Sequence, residues 1–144
     1  MKPTLEGGGF LGRYVKGEVG WTESEGYVGI TGGGKKFGIY NADSPSPMEM
    51  VLHGHAACSL IDVIDGLKHR TENLDFIKIE TEAVRAPEAP KVFTSISMRY
   101  VVKGDVPEAL VRRLIESSHE KFCSVGIMIT RSGASLNWSL EMHQ

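Results

Sequence analysis

The sequence predicts an α+β fold of mostly antiparallel sheets packed on a long buried central helix. Three observations carry that prediction. Strand-like and helix-like stretches come in groups rather than in strict alternation. One helix, opening at Ser46-Pro47, is far longer and more apolar than the others. The last segment alternates apolar and polar residues at period two. The resulting order is β-β-β-α-β-β-α-α-β.

Residues 1–12 are rich in glycine and read as a flexible N-terminus. A single domain is expected over 13–144. Within 13–42, Val19, Trp21, Val28, Ile30, Phe37 and Ile39 alternate with polar residues or glycine, as in short strands. Turns fall at Ser24-Glu25-Gly26 and at Gly32-Gly33-Gly34-Lys35. Ser46 then reads as an N-cap, Pro47 as the first helical residue, and Glu49 as the closing member of a capping box. The spacing predicts a helix to about Arg70, buried because Ala56, Ala57, Leu60, Ile61, Val63 and Ile64 leave little polar face.

Two strands follow. Ile77, Ile79 and Ala83 share one face of the first, and Val92, Thr94, Ile96, Met98, Tyr100 and Val102 share one face of the second. The Ala86–Pro90 link suits a hairpin. Asp105-Val-Pro-Glu108 has the form of a second capping box and opens a helix to about Phe122. A shorter helix over Ser124–Arg131 ends at Ser132-Gly133. In the final strand Leu136, Trp138, Leu140 and Met142 point inward.

The composition narrows the function classes. The 144 residues carry 16 Lys and Arg against 18 Asp and Glu, a formal charge of −2 with no basic block. Nucleic acid is therefore not the expected partner, because its binding is driven largely by phosphate neutralisation. No apolar run reaches the roughly 20 residues that span a bilayer. No membrane association is expected, and the absence of a signal-peptide pattern points to the cytoplasm. A chain of this length buries about 68–70% of its unfolded surface, enough to fold without a staple.

Two cysteines stand out. Cys58 has His55 three residues before it, and Cys123 has His119 four residues before it, spacings that share a helix face. An imidazolium beside a thiol favours the thiolate, the nucleophilic form. The pairs read as a reactive thiol with a second thiol to resolve it, or as two small core residues. The same four side chains form a legal tetrahedral zinc set, which gives a zinc-stabilised fold as an alternative. Glu49 is a candidate thiolate-activating carboxylate, although its capping role explains it equally. Arg13 is the only arginine before the long helix. Gly29-Ile-Thr-Gly-Gly-Gly-Lys35-Lys36 nearly matches a phosphate-binding loop. It lacks the Ser or Thr for magnesium and leads into a strand, so it reads as a hairpin turn. Arg99 reads as solvent-facing, and His53, His69 and His143 as surface residues.

Ser46-Pro-Met-Glu-Met-Val-Leu52 with His55-Ala-Ala-Cys58 resembles the first cysteine helix of the OsmC-like family, which includes the organic hydroperoxide resistance proteins. Ser118-His-Glu-Lys-Phe-Cys-Ser-Val125 resembles its second cysteine segment, and the gap of 65 residues between the thiols fits. The Ser-Pro-Met-Glu form resembles a less characterised branch. The resemblance implies an intertwined α+β homodimer with its sites at the subunit interface. It implies a peroxidatic Cys58 that becomes a sulfenic acid and a Cys123 that closes a disulfide with it. The implied partners are a hydroperoxide substrate and a dithiol reductant, thioredoxin-like or lipoylated, and no metal or organic cofactor is needed. The peroxidases of the family hold the thiolate with an arginine and a glutamate. Here Met48 stands in the glutamate's place, with Glu49 about 100° further round the helix. That departure motivates an alternative function, a binding module for a small apolar ligand.

Overall fold

In the computed structural model, residues 14–144 are described. Arg13 and the glycine-rich 1–12 segment lie outside them. The chain divides into two compact units, one ending at Met50 and the other spanning Val51–Gln144.

The first unit is a three-stranded antiparallel sheet of β1 (Gly17–Thr22), β2 (Gly26–Thr31) and β3 (Lys36–Ile39). The glycine-and-lysine stretch is the β2–β3 turn, as the missing Ser/Thr and the strand-like sequel predict. Register places Trp21, Tyr27 and Ile39 abreast, and Val19, Gly29 and Phe37 abreast. Val28 and Ile30 occupy the alternate positions of β2 and face the other way. Both faces of this small sheet are therefore apolar.

Helix α1 runs from Pro47 to Gly66. Its start is the capping box the sequence predicts: the Ser46 N–H donates to the Glu49 carboxylate at 3.0 Å, and the Glu49 N–H donates to Ser46 Oγ at 3.3 Å. The helix stops four residues short of the expected Arg70. Beyond Gly66 the chain passes through tight turns, with the Arg70 N–H donating to Leu67 C=O, into a 3-10 turn at Thr71–Asn73. Burial of α1 is confined to one stripe, His55, Ser59 and Val63, which Leu67 continues beyond the helix end. Ile61 on the opposite side is 60% exposed. The apolar girth read from sequence thus exceeds what one chain covers.

The second sheet joins β4 (Leu74–Arg85), β5 (Phe93–Gly104) and β6 (Ser135–His143) in the order β4-β5-β6. β4 and β5 form an antiparallel hairpin, whereas β6 lies parallel to β5. A parallel neighbour requires a crossover. That crossover contains α2 (Glu108–Ser117), a π-helical turn (Ser118–Phe122) and α3 (Ser124–Arg131). The helix expected to continue to Phe122 thus changes pitch at Ser118. The second expected capping box does not form: Pro107 is the N-cap of α2 and no side chain caps it. At the far end, Gly133 at φ 112° turns the chain into β6.

The inward face of β5 is Ile96, Met98, Tyr100 and Val102, as alternation predicts, but Thr94 is exposed and Val92 is 50% exposed. Phe93 is buried instead. The register steps from Val84↔Ser95 to Arg85↔Phe93, so Thr94 is an extra residue and reverses the alternation beyond it. Ile96, Met98 and Val102 with Val63, Leu67, Val111 and Ile115 form the core of this unit. Arg99, on the outer face, ion-pairs with Glu80 of β4 and Glu141 of β6, tying the three strands together.

Candidate functional site

The crossover brings the two cysteines together. Cys58 sits in the middle of α1, half-buried, and Cys123 is wholly buried at the start of α3. Both thiols are free, and Cys58 lies near enough to Cys123 to disfavour its thiolate. The Cys123 thiol also faces the backbone oxygen of His55 at 3.7 Å, and its sulfur accepts the Gly126 N–H at 3.4 Å. Cys123 is thus the N-cap of α3, where the sequence has one helix give way to the next.

Burial pushes the Cys123 thiol up to about 12, against the partial relief of the Gly126 N–H. The Cys58 sulfur and the Asp62 carboxylate push it the same way, since each adds negative charge beside the would-be thiolate. Cys123 is therefore a protonated thiol at neutral pH.

The histidines are present but uncharged. His55 is 0% exposed, and its burial holds it below the ordinary histidine range. Burial takes His119 down to about 4, helped by repulsion from His55, whose ring centroid is 6.1 Å away. The imidazolium expected beside each thiol is replaced by a neutral imidazole, because a buried cation without a carboxylate partner is costly. Neither ring nitrogen of His55 has a hydrogen-bond partner. Its ring fills the space over Gly126: a Cβ there would collide with His55 and lie 3.1 Å from the Cys123 sulfur. The capping box holds Glu49, whose carboxylate takes the Ser46 N–H.

Sequence reasoning missed a buried polar network beside the thiols. Ser118 Oγ lies 2.8 Å from Asp62 Oδ2 and 3.0 Å from Ser59 Oγ. Ser59 Oγ lies 2.5 Å from Tyr100 OH, which lies 2.8 Å from His119 Nε2. Trp138 of β6 stacks on His119 at 6.4 Å between centroids, and Arg112 covers Trp138 at 5.8 Å. The available signal was the i, i+4 pair His55 and Ser59, two polar residues on the buried stripe of an apolar helix. Among the described residues, no group of three or more His, Cys, Asp or Glu side chains could hold a metal ion. The tetrahedral set of His55, Cys58, His119 and Cys123 does not assemble, which corrects the zinc alternative.

Comparison with known proteins agrees with this architecture. The family model for OsmC-like proteins matches residues 40–139. The chain belongs to the OsmC-like family. It is 33% identical over 122 residues to Protein YhfA of Escherichia coli K12, covering 82% of this chain and 91% of that one. A crystal structure from Aquifex aeolicus VF5 superimposes with a TM-score of 0.77 at 26% identity, over 91% of this chain and 98% of that chain. The organic hydroperoxide resistance protein OhrB of Bacillus subtilis shares the fold, with a TM-score of 0.56 at 19% identity, over 89% and 98% of the two chains. Membership in this family points to a redox role. No helix of the described residues is long and apolar enough to cross a membrane.

Proposed function

We propose that this protein is a thiol-dependent peroxidase that reduces organic hydroperoxides or hydrogen peroxide, acting in the cytoplasm as a homodimer. One observation carries the reading: two thiols distant in sequence are brought near enough to influence one another, one half-buried and the other sealed and protonated. That asymmetry divides the labour. Cys58, as thiolate, attacks the O–O bond, becomes a sulfenic acid and releases an alkoxide that takes up a proton to leave as the alcohol. Cys123 then attacks the sulfenic sulfur, a disulfide forms and water leaves. A dithiol reductant, thioredoxin-like or lipoylated, exchanges with the disulfide and restores both thiols while its own sulfurs are oxidised. Sulfur carries the electrons throughout.

The burial of Cys123 fits the second role better than the first. A thiol held near 12 is a poor first nucleophile, yet it needs only to reach an electrophilic sulfur already beside it. His55 and His119 enter this scheme as neutral proton acceptors. Glu49 contributes by setting the start of α1, on which Cys58 is carried.

The test is a peroxide-consumption assay with a dithiol donor. Cys58→Ser abolishes turnover, and Cys123→Ser leaves a sulfenic acid that dimedone traps. Full activity in Cys58→Ser overturns the assignment of roles.

A further inference from the structure

His55 keeps two polar ring atoms in the core with nothing to bond to. The side chain is 0% exposed, and neither nitrogen has a hydrogen-bond partner. Leaving such a group buried and unsatisfied costs about 1–3 kcal/mol, and native cores hold few of them. An apolar side chain would fill the same space without that cost, so packing alone does not ask for an imidazole here. What surrounds the ring points to a use. A Cβ on Gly126 would collide with His55 Nε2 and lie 3.1 Å from Cys123 Sγ, so nitrogen and sulfur border one point above a bare stretch of backbone. The Gly126 N–H donates to the same sulfur at 3.4 Å. The thiol proton is turned to the His55 C=O, with sulfur and oxygen 3.7 Å apart. Ring, carbonyl and sulfur thus belong to one contact between α1 and the start of α3.

We propose that His55 is the proton acceptor for Cys123 in disulfide closure, taking the thiol proton on Nε2 while the Gly126 N–H steadies the sulfur. The S–H bond of Cys123 breaks as its proton moves to Nε2, and the freed electron pair forms the S–S bond to Cys58. The sulfenic S–O bond breaks, and the departing hydroxide takes the proton from the imidazolium and leaves as water. The Cys58 sulfur is reduced and the Cys123 sulfur oxidised, while His55 ends neutral, as it began. Burial suits His55 to this step, because it keeps the imidazole uncharged and its lone pair available at neutral pH. The Cys123 thiol, pushed up to about 12, supplies almost no thiolate by itself, so its attack needs a base inside the pocket. Gly126 is then constrained twice: a side chain would displace the ring, and its N–H serves the sulfur.

The place of this step in peroxide turnover rests on the peroxidase reading, whereas the proton transfer does not, so the experiment replaces the peroxide. The reduced protein is treated with one equivalent of 4,4′-dithiodipyridine, which caps the more exposed Cys58 as a mixed disulfide and releases one thiopyridone. Cys123 then displaces the second, and absorbance follows its release. With Cys58 capped, the titratable groups about the pair are His119, edge-on to His55 at 6.1 Å, and Asp62, which only raises the thiol further. His119, at about 4, does not titrate between pH 7 and 9. The second release in the parent protein is expected to be level across that range. In His55→Gln it is expected to be about a hundredfold slower at pH 7, the lower end of general-base contributions. It should also climb about tenfold per pH unit, because only spontaneously formed thiolate then attacks. His55→Asn repeats the measurement if the Gln variant does not fold. A parent rate that itself climbs in this way overturns the assignment, whatever becomes of the variants. Slowing of less than about tenfold also overturns it, and slowing without the steeper climb marks His55 as a packing residue. No second release from the parent places Cys123 out of reach of Cys58 and overturns it as well. If the release behaves as expected but cumene hydroperoxide is not consumed, the peroxidase reading falls and the proton acceptor stands.

Discussion

The two sheets of this chain have three strands each and use their faces in opposite ways. In β4–β6 the outer face carries Glu80, Arg99 and Glu141 in an ion-paired row, and the inner face supplies Ile96, Met98 and Tyr100 to a closed core. In β1–β3 both faces are apolar. Val19 is 67% and Trp21 61% exposed, and Ile39 is the only large apolar side chain buried. The second unit has an inside and an outside; the first has no interior of its own. Period-two alternation is present in both, so alternation alone distinguishes a strand from a helix but not a cored sheet from an uncored one. The chemistry sits in the cored unit, where desolvation can move a thiol and two imidazoles away from their ordinary ionisation.

The contrast gives a graded set of expectations. Ile96→Ala opens a cavity in the second unit and is expected to cost about 2–5 kcal/mol in urea unfolding. A loss below about 1 kcal/mol would mean that this core is not closed. Acid acts next. The folded pKa of His119, about 4, lies below its ordinary 6.5, so the unfolded chain binds the proton first. Stability on this account is complete above pH 6.5 and falls between 6.5 and 4, by up to about 3 kcal/mol. His119→Gln should flatten that part of the stability–pH profile, and an unaltered slope would remove burial as the cause. Ser46→Ala deletes the capping hydroxyl of α1 and is expected to cost about 1 kcal/mol by thermal or urea melting. Val19→Ala, on the exposed sheet face, is expected to change stability by less than about 0.5 kcal/mol. A cost above about 2 kcal/mol at Val19 would break the contrast, because it would mean that this face is packed in the native protein.

What could be read beforehand follows the range of each interaction. The capping box, the extent of α3 and the inward face of β6 are local, and they are where their residues predict. The Thr94 bulge left no local mark, since it depends on how two strands pair, and it moved Phe93 inward and Val92 outward. The parallel placement of β6 likewise depends on where α2 and α3 set the chain down. At the site, the cysteines and their helical histidines were legible from spacing. Their ionisation was not, because it is decided by burial beneath residues of β5 and α3. Tyr100 and Ser118 joined the site from positions 41 and 59 residues away from Ser59, contacts no sequence window contains.

The close approach of the His55 ring to Gly126 makes those two positions a lock and its tumbler. Gly126→Ala by itself should be poorly tolerated. Paired with His55→Ala, it should regain much of the loss, because the second change vacates the volume the new methyl needs. The two substitutions should therefore be non-additive in a double-mutant cycle. A library selected for stability should return small residues at 55 wherever 126 has grown.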